Sequence, residues 1–95
     1  MADAKLIKAV KLARGITGDF AAQDAQIGIE IDEVIGFMIS GGVPKDVANS
    51  EASAGVIARG IEDIKYNDGK LSDYFYQRVS QLAYTKPEEV AANES

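Results

Sequence analysis

The chain has 95 residues, 46% of them hydrophobic and 26% charged, which fits one folded domain with a modest core and argues against wholesale disorder. It contains no cysteine and no histidine, which excludes disulfides, thiolate chemistry, a Ser-His or Cys-His nucleophile and an ordinary zinc site. The formal charge of -5 makes generic nucleic-acid binding unfavourable, because affinity for phosphate rests on Lys and Arg.

In chain order, the opening Met1-Ala2-Asp3-Ala4-Lys5 has no long apolar run behind it, so no signal peptide is expected and the cytoplasm is the default compartment. No later stretch is apolar enough to span a membrane. The first helix is expected over Ala4 to Arg14, with Leu6, Val10 and Ala13 on one face and Ile7 at its edge. Gly15 suits a left-handed C-terminal cap. The second helix is expected from Asp19, as its cap, to Ser40, with Asp24 favourably placed early in it. Ile27, Ile31, Val34, Ile35 and Met38 form its apolar stripe, and Phe37 and Ile39 widen that stripe on both flanks. So wide an arc predicts a helix packed from more than one side, the central one.

Gly41-Gly42 stops that helix. Val43 to Asn49 reads as a connector with one short helical turn. Ser50 is the expected cap of a third helix reaching Tyr66, with Val56, Ile57, Ile61 and Ile64 facing inward. Gly60 lies in the middle of that face. Glycine costs roughly 1 kcal/mol against alanine in a helix, so a close helix crossing is expected there. Asn67-Asp68-Gly69 is a turn signal. Ser72 caps a fourth helix reaching Tyr84, with Leu71, Phe75, Val79 and Leu82 on its inner face, and Thr85-Lys86-Pro87 ends it. The pattern predicts an all-α fold: a small four-helix bundle with a long central second helix, occupying residues 1–84. Residues 85–95 read as a flexible acidic tail.

No motif carries chemistry. Asn67 to Ser72 looks like part of a calcium-binding loop, but with Gly69 as the sixth loop residue the first, third and twelfth ligand positions fall on Ile64, Tyr66 and Phe75, none of which chelates calcium. Glu30, Asp32 and Glu33, and Glu62-Asp63, are expected on the solvent sides of amphipathic helices. The glycines match no phosphate-binding loop. No catalytic, metal or cofactor residues are therefore expected, and the chain reads as a non-enzyme. The candidate interaction residues are of two kinds. Lys5, Lys8, Lys11 and Arg14 make the first helix the one basic element, a broad patch that reads either as a solubilising face or as a contact for an acidic partner or a DNA backbone. Tyr74, Tyr76 and Arg78 belong to residue types favoured at interfaces; Tyr74 and Arg78 share the side away from Phe75 and Val79, which reads equally as an interface or as half-buried edge packing.

The order of these signals, with Asp24 before the long stripe Ile27 to Ile39, the third helix Gly55 to Asp63, and the run Gly69-Lys70-Leu71-Ser72-x-Tyr74-Phe75-x-x-Arg78-Val79-x-Gln81-Leu82, resembles the head–tail connector (head-completion adaptor) family of long-tailed bacteriophages over roughly residues 5–84. The resemblance implies a structural virion protein of the head–tail neck, assembled in the host cytoplasm. It implies a twelve-fold homo-oligomeric ring beneath the portal protein that extends the DNA channel and offers a surface to the next neck or tail-completion protein. It also implies a C-terminal segment directed to the portal; the short acidic tail after Tyr84 departs from that pattern. An acidic chain suits a channel through which DNA passes without specific binding. Alone, the protein is expected as a monomer or small, concentration-dependent oligomer. Two other readings stay open: a helical DNA-binding regulator, which needs exposed cations on one recognition helix, and a host-encoded adaptor that binds one partner protein.

Overall fold

Residues 3–18 and 20–85 are described by the computed structural model, and 74% of them are helical with no strand among them. The elements are α1 (Ala4–Ala13), α2 (Ala21–Ser40), α3 (Lys45–Ala48), a 3-10 turn (Glu51–Ser53), α4 (Ala54–Tyr66) and α5 (Asp73–Ala83). The all-α bundle expected from the sequence is thus present, with one short helix more than the four long ones.

The helix ends follow local chemistry. Asp3 caps α1 by accepting a hydrogen bond from the Leu6 N–H at 2.8 Å. At the other end Gly15 has φ +73, and the Ile16 N–H reaches back to the Lys11 carbonyl at 2.9 Å. This is the Schellman geometry, in which a left-handed residue turns the chain so that two orphan carbonyls are satisfied. The same geometry ends α2, where Gly42 has φ +99 and the Val43 N–H bonds the Met38 carbonyl at 3.0 Å. Val43 is then buried, which pins the exit of the chain. The expected cap Asp19 lies outside the described residues; Phe20 occupies the N-cap position of α2 without a side-chain bond.

Ser50 does not cap the third long helix. Its hydroxyl, like that of Ser53, donates to the Val47 carbonyl at 2.7 Å, so the two serines clasp the end of α3 and the chain makes a 3-10 turn before α4 begins at Ala54. A serine hydroxyl can bond neighbouring backbone in several ways, and here the backward bond wins over the forward cap. Ser72 does cap α5, accepting from the Phe75 N–H at 3.2 Å.

The core is continuous. Leu6 and Val10 from α1, Ile27, Ile31, Val34, Ile35 and Met38 from α2, Val56, Ile57 and Ile61 from α4, and Phe75, Val79 and Leu82 from α5 are all buried. Burial of this apolar surface, at about 25 cal/mol per Å², is the main driving term. α2 is the longest helix, but α4 holds the middle seat: α1, α2 and α5 all pack on it. The broad apolar arc of α2 has a different outcome, since Phe37 and Ile39 at its edges remain half exposed. Ala13, expected to face inward, is exposed at the C-terminal end of α1. The close crossing expected at Gly60 is real. A Cβ there would stand 2.7 Å from Phe75 Cε1 and 2.8 Å from Val34 Cγ1, so only a glycine lets α2 and α5 both approach α4 at this level.

Candidate protein-docking surfaces

The four cations of α1 do not form one patch. A step of three residues falls about 60° short of a full helical turn, so four such positions spread over about half the circumference. Lys5 and Lys8 are exposed on the outer side. Lys11 is turned inward: its Nζ donates to the Gly18 carbonyl at 2.7 Å and to Asp24 Oδ1 at 2.8 Å, fixing the loop after α1 against the start of α2. Arg14 is also turned inward. Its Nε donates to Glu62 Oε1 at 2.9 Å, and its Nη1 lies 4.0 Å from Glu30 Oε1, while Lys65 Nζ sits 3.0 Å from Glu30 Oε2. Arg14, Glu30, Glu62 and Lys65 together tie α1, α2 and α4. Lys11 and Arg14 therefore act in the fold, and the exposed basic surface of α1 shrinks to Lys5 and Lys8.

A second network, not anticipated as a unit, joins α4 to α5. Asp63 is buried, and one of its oxygens, Oδ2, accepts from the Ser72 hydroxyl at 2.6 Å and from the Ser72 N–H at 3.0 Å. The other, Oδ1, accepts from Arg59 Nε at 2.9 Å. Burial pushes the Asp63 carboxyl up, but the hydrogen bonds from Ser72, hydroxyl and backbone, and the Arg59 guanidinium outweigh it, and the group is held below the usual carboxylate value. Arg59 in turn lies with its guanidinium carbon 5.0 Å from the centre of the Tyr74 ring. The i, i+4 spacing of Arg59 and Asp63 and the capping role of Ser72 were both visible in the sequence; that the three meet at one carboxylate was not.

Tyr74 and Tyr76 lie on opposite flanks of α5, one on each side of Phe75, because they are two residues apart on a helix. Tyr76 meets the Phe75 ring edge-on, with centroids 5.9 Å apart, and is otherwise exposed. Arg78 is half-buried on the Tyr74 side and donates to Gln81 Oε1. Tyr74 and Arg78, four residues apart, therefore share one side of α5, and Tyr76 takes the other.

Beside Tyr74 the surface is hollowed into an open trough along α4. Gly55 and Ala58 form its floor, with Arg14, Arg59 and Tyr74 around it. A neighbouring hollow continues past Arg59 to Tyr66, Asn67 and Ser72. The Tyr74 ring and the Arg59 guanidinium, 5.0 Å apart, edge this trough. Among the described residues no group of three or more acidic side chains converges as a metal site, and no helix is long and apolar enough to cross a membrane. No family model, curated protein or solved structure matches the chain.

Proposed function

We propose that this chain is a structural protein of a phage head–tail neck, binding the portal protein and the next neck or tail-completion protein as part of a ring around the DNA channel. The reading rests first on the resemblance of residues 5–84 to that family. The structural observation that supports it is the linked Tyr74–Arg59–Asp63–Ser72 arrangement beside an open trough. It presents an aromatic side chain, half exposed, from a helix start that is itself pinned by Asp63. A pre-organised aromatic next to arginine is the kind of anchor that carries binding energy at protein interfaces. The net charge of -5 supports passage of DNA without retention.

The inward turn of Lys11 and Arg14 counts against the regulator reading, because it removes two of the four cations that a recognition helix would offer to phosphate. The host-encoded adaptor reading uses the same trough with a different partner. The test is mass in solution with and without portal protein, for the wild type and for Tyr74→Ala combined with Arg78→Ala. The double variant should keep its helical circular dichroism and lose portal binding. Unchanged incorporation into particles would show that this face is not an interface, and a wild type that ignores portal protein would favour the adaptor.

A further inference from the structure

Leu12 and Ile29 are the most exposed large aliphatic side chains among the described residues, at 69% and 65%. Their surroundings carry opposite charge. Leu12 shares the outer side of α1 with Lys5 and Lys8, seven and four residues before it. Ile29 shares the outer side of α2 with Glu33, four residues on, and with Asp32 alongside; all are exposed. The two faces do not serve each other within one chain. α1 meets α2 through Ile7, whose Cδ1 lies against Gly28, and through Lys11. α2 meets α4 through Glu30 and Val34. The outer side of α2 also carries the exposed small residues Ala22, Ala25 and Gly36, so nothing bulky stands in the way of a second helix.

We propose that the outer face of α1 in one copy packs on the outer face of α2 in the next, antiparallel, with Leu12 against Ile29 and Lys8 against Glu33. The spacing supports that pairing. Four residues back from Leu12 and four forward from Ile29 cover the same ~6 Å along their helices, which sets Lys8 beside Glu33. Lys5, seven residues back, comes opposite Gly36, seven residues forward, where there is no side chain to clash with its long stem. The contact is heterologous. Each added copy leaves one α1 face and one α2 face unused at the ends, so copies add head to tail and close into a ring where the rotation allows. This contact is independent of the portal surface at Tyr74, and it does not depend on what else the assembly binds.

The experiment is sedimentation velocity of the full chain over a wide concentration range. The wild type should gain mass with concentration, and less so in high salt. Lys8→Glu and Glu33→Lys should each weaken self-association by about tenfold or more, since each sets like charges face to face. Both side chains are exposed, so helical circular dichroism should not change. An equimolar mixture of the two single variants should associate again, because the acidic α2 face of one meets the basic α1 face of the other; the double variant should also recover. A wild type that stays monomeric throughout, single variants that associate like the wild type, or a mixture that fails to recover would each overturn the proposal. Self-association as described by a protein that ignores portal would instead sink the head–tail reading and leave this contact standing.

Discussion

Replacing Gly60 by alanine sets two opposing effects against each other. The gain is helix propensity, about 1 kcal/mol for Gly→Ala in a helix interior. The cost comes from the added Cβ, which would stand 2.7 Å from Phe75 Cε1 and 2.8 Å from Val34 Cγ1. Neither neighbour is a loose end: Phe75 is 1% exposed and Val34 is 0% exposed, and both are enclosed by the same core. Relief therefore requires moving α5 or α2 away from α4. Overpacking of this kind costs typically about 1–3 kcal/mol, and a clash on two sides belongs at the upper end. The net expectation is a loss of about 2 kcal/mol, or a fall in Tm of roughly 10 °C for a domain of this size. Gly36 is the control. It sits mid-helix in α2, and an added methyl group there would meet nothing within 4 Å, so Gly36→Ala should be neutral or stabilising by up to about 1 kcal/mol. Thermal and urea unfolding followed by circular dichroism would measure both. A Gly60→Ala protein as stable as the wild type would refute the close-crossing argument.

Ile31 is 0% exposed, so Ile31→Asp buries a charge with no partner and should abolish cooperative unfolding in a denaturant titration; a folded variant would remove this part of α2 from the core. The Asp63 carboxyl is held below its ordinary value of 3.8, so its contribution is fully present above that value and is lost as pH falls through the lower folded-state value. Asp63→Asn should therefore reduce stability at neutral pH and shrink the difference between neutral and strongly acidic pH, as read by unfolding midpoints across pH; an unchanged acid limb would contradict the assignment. Isolated protein should bind duplex DNA no better than a dissociation constant of roughly 10⁻⁴ M at physiological salt, measured by fluorescence anisotropy, and sub-micromolar sequence-selective binding would restore the regulator reading.

What the sequence disclosed was governed by short range. Gly15, Gly42 and Ser72 announce helix ends because the capping bond lies within a few residues of the signal. Gly60 could be flagged because a glycine on an apolar face has no local reason to be there. Ser50 misled because its hydroxyl had a choice of nearby carbonyls and N–H groups, and only the path of α3 decides between them. The wide arc of α2 could not say which of its edges would be covered, and Phe37 and Ile39 stayed half exposed while α4 took the middle. Lys11 and Arg14 were the largest departures at the candidate surface. The carboxylates they bond, Asp24 and Glu62, lie 13 and 48 residues away, beyond the reach of any local pattern. Tyr74 kept its expected exposure, but its neighbour Arg59 comes from another helix.

The unequal reach of these polar ties has a consequence for the order of folding. Asp63 and Ser72 close a loop of nine residues, whereas Arg14 and Glu62 close one of 48. With closure entropy growing as (3/2)RT ln n, the longer loop costs roughly 1.5 kcal/mol more to form. The corner between α4 and α5 is therefore the less costly first step, and α1 docks onto a surface already made. Pulsed hydrogen exchange during refolding should show amides of α4 and α5 protected before those of α1. Protection of α1 in step with α4 would mean instead that apolar docking of Leu6 and Val10 outruns the entropy of closure. In the expected order, the chain's C-terminal half is the template and its N-terminal helix the latch, so a nascent protein carries α1 unlatched until α4 has been made.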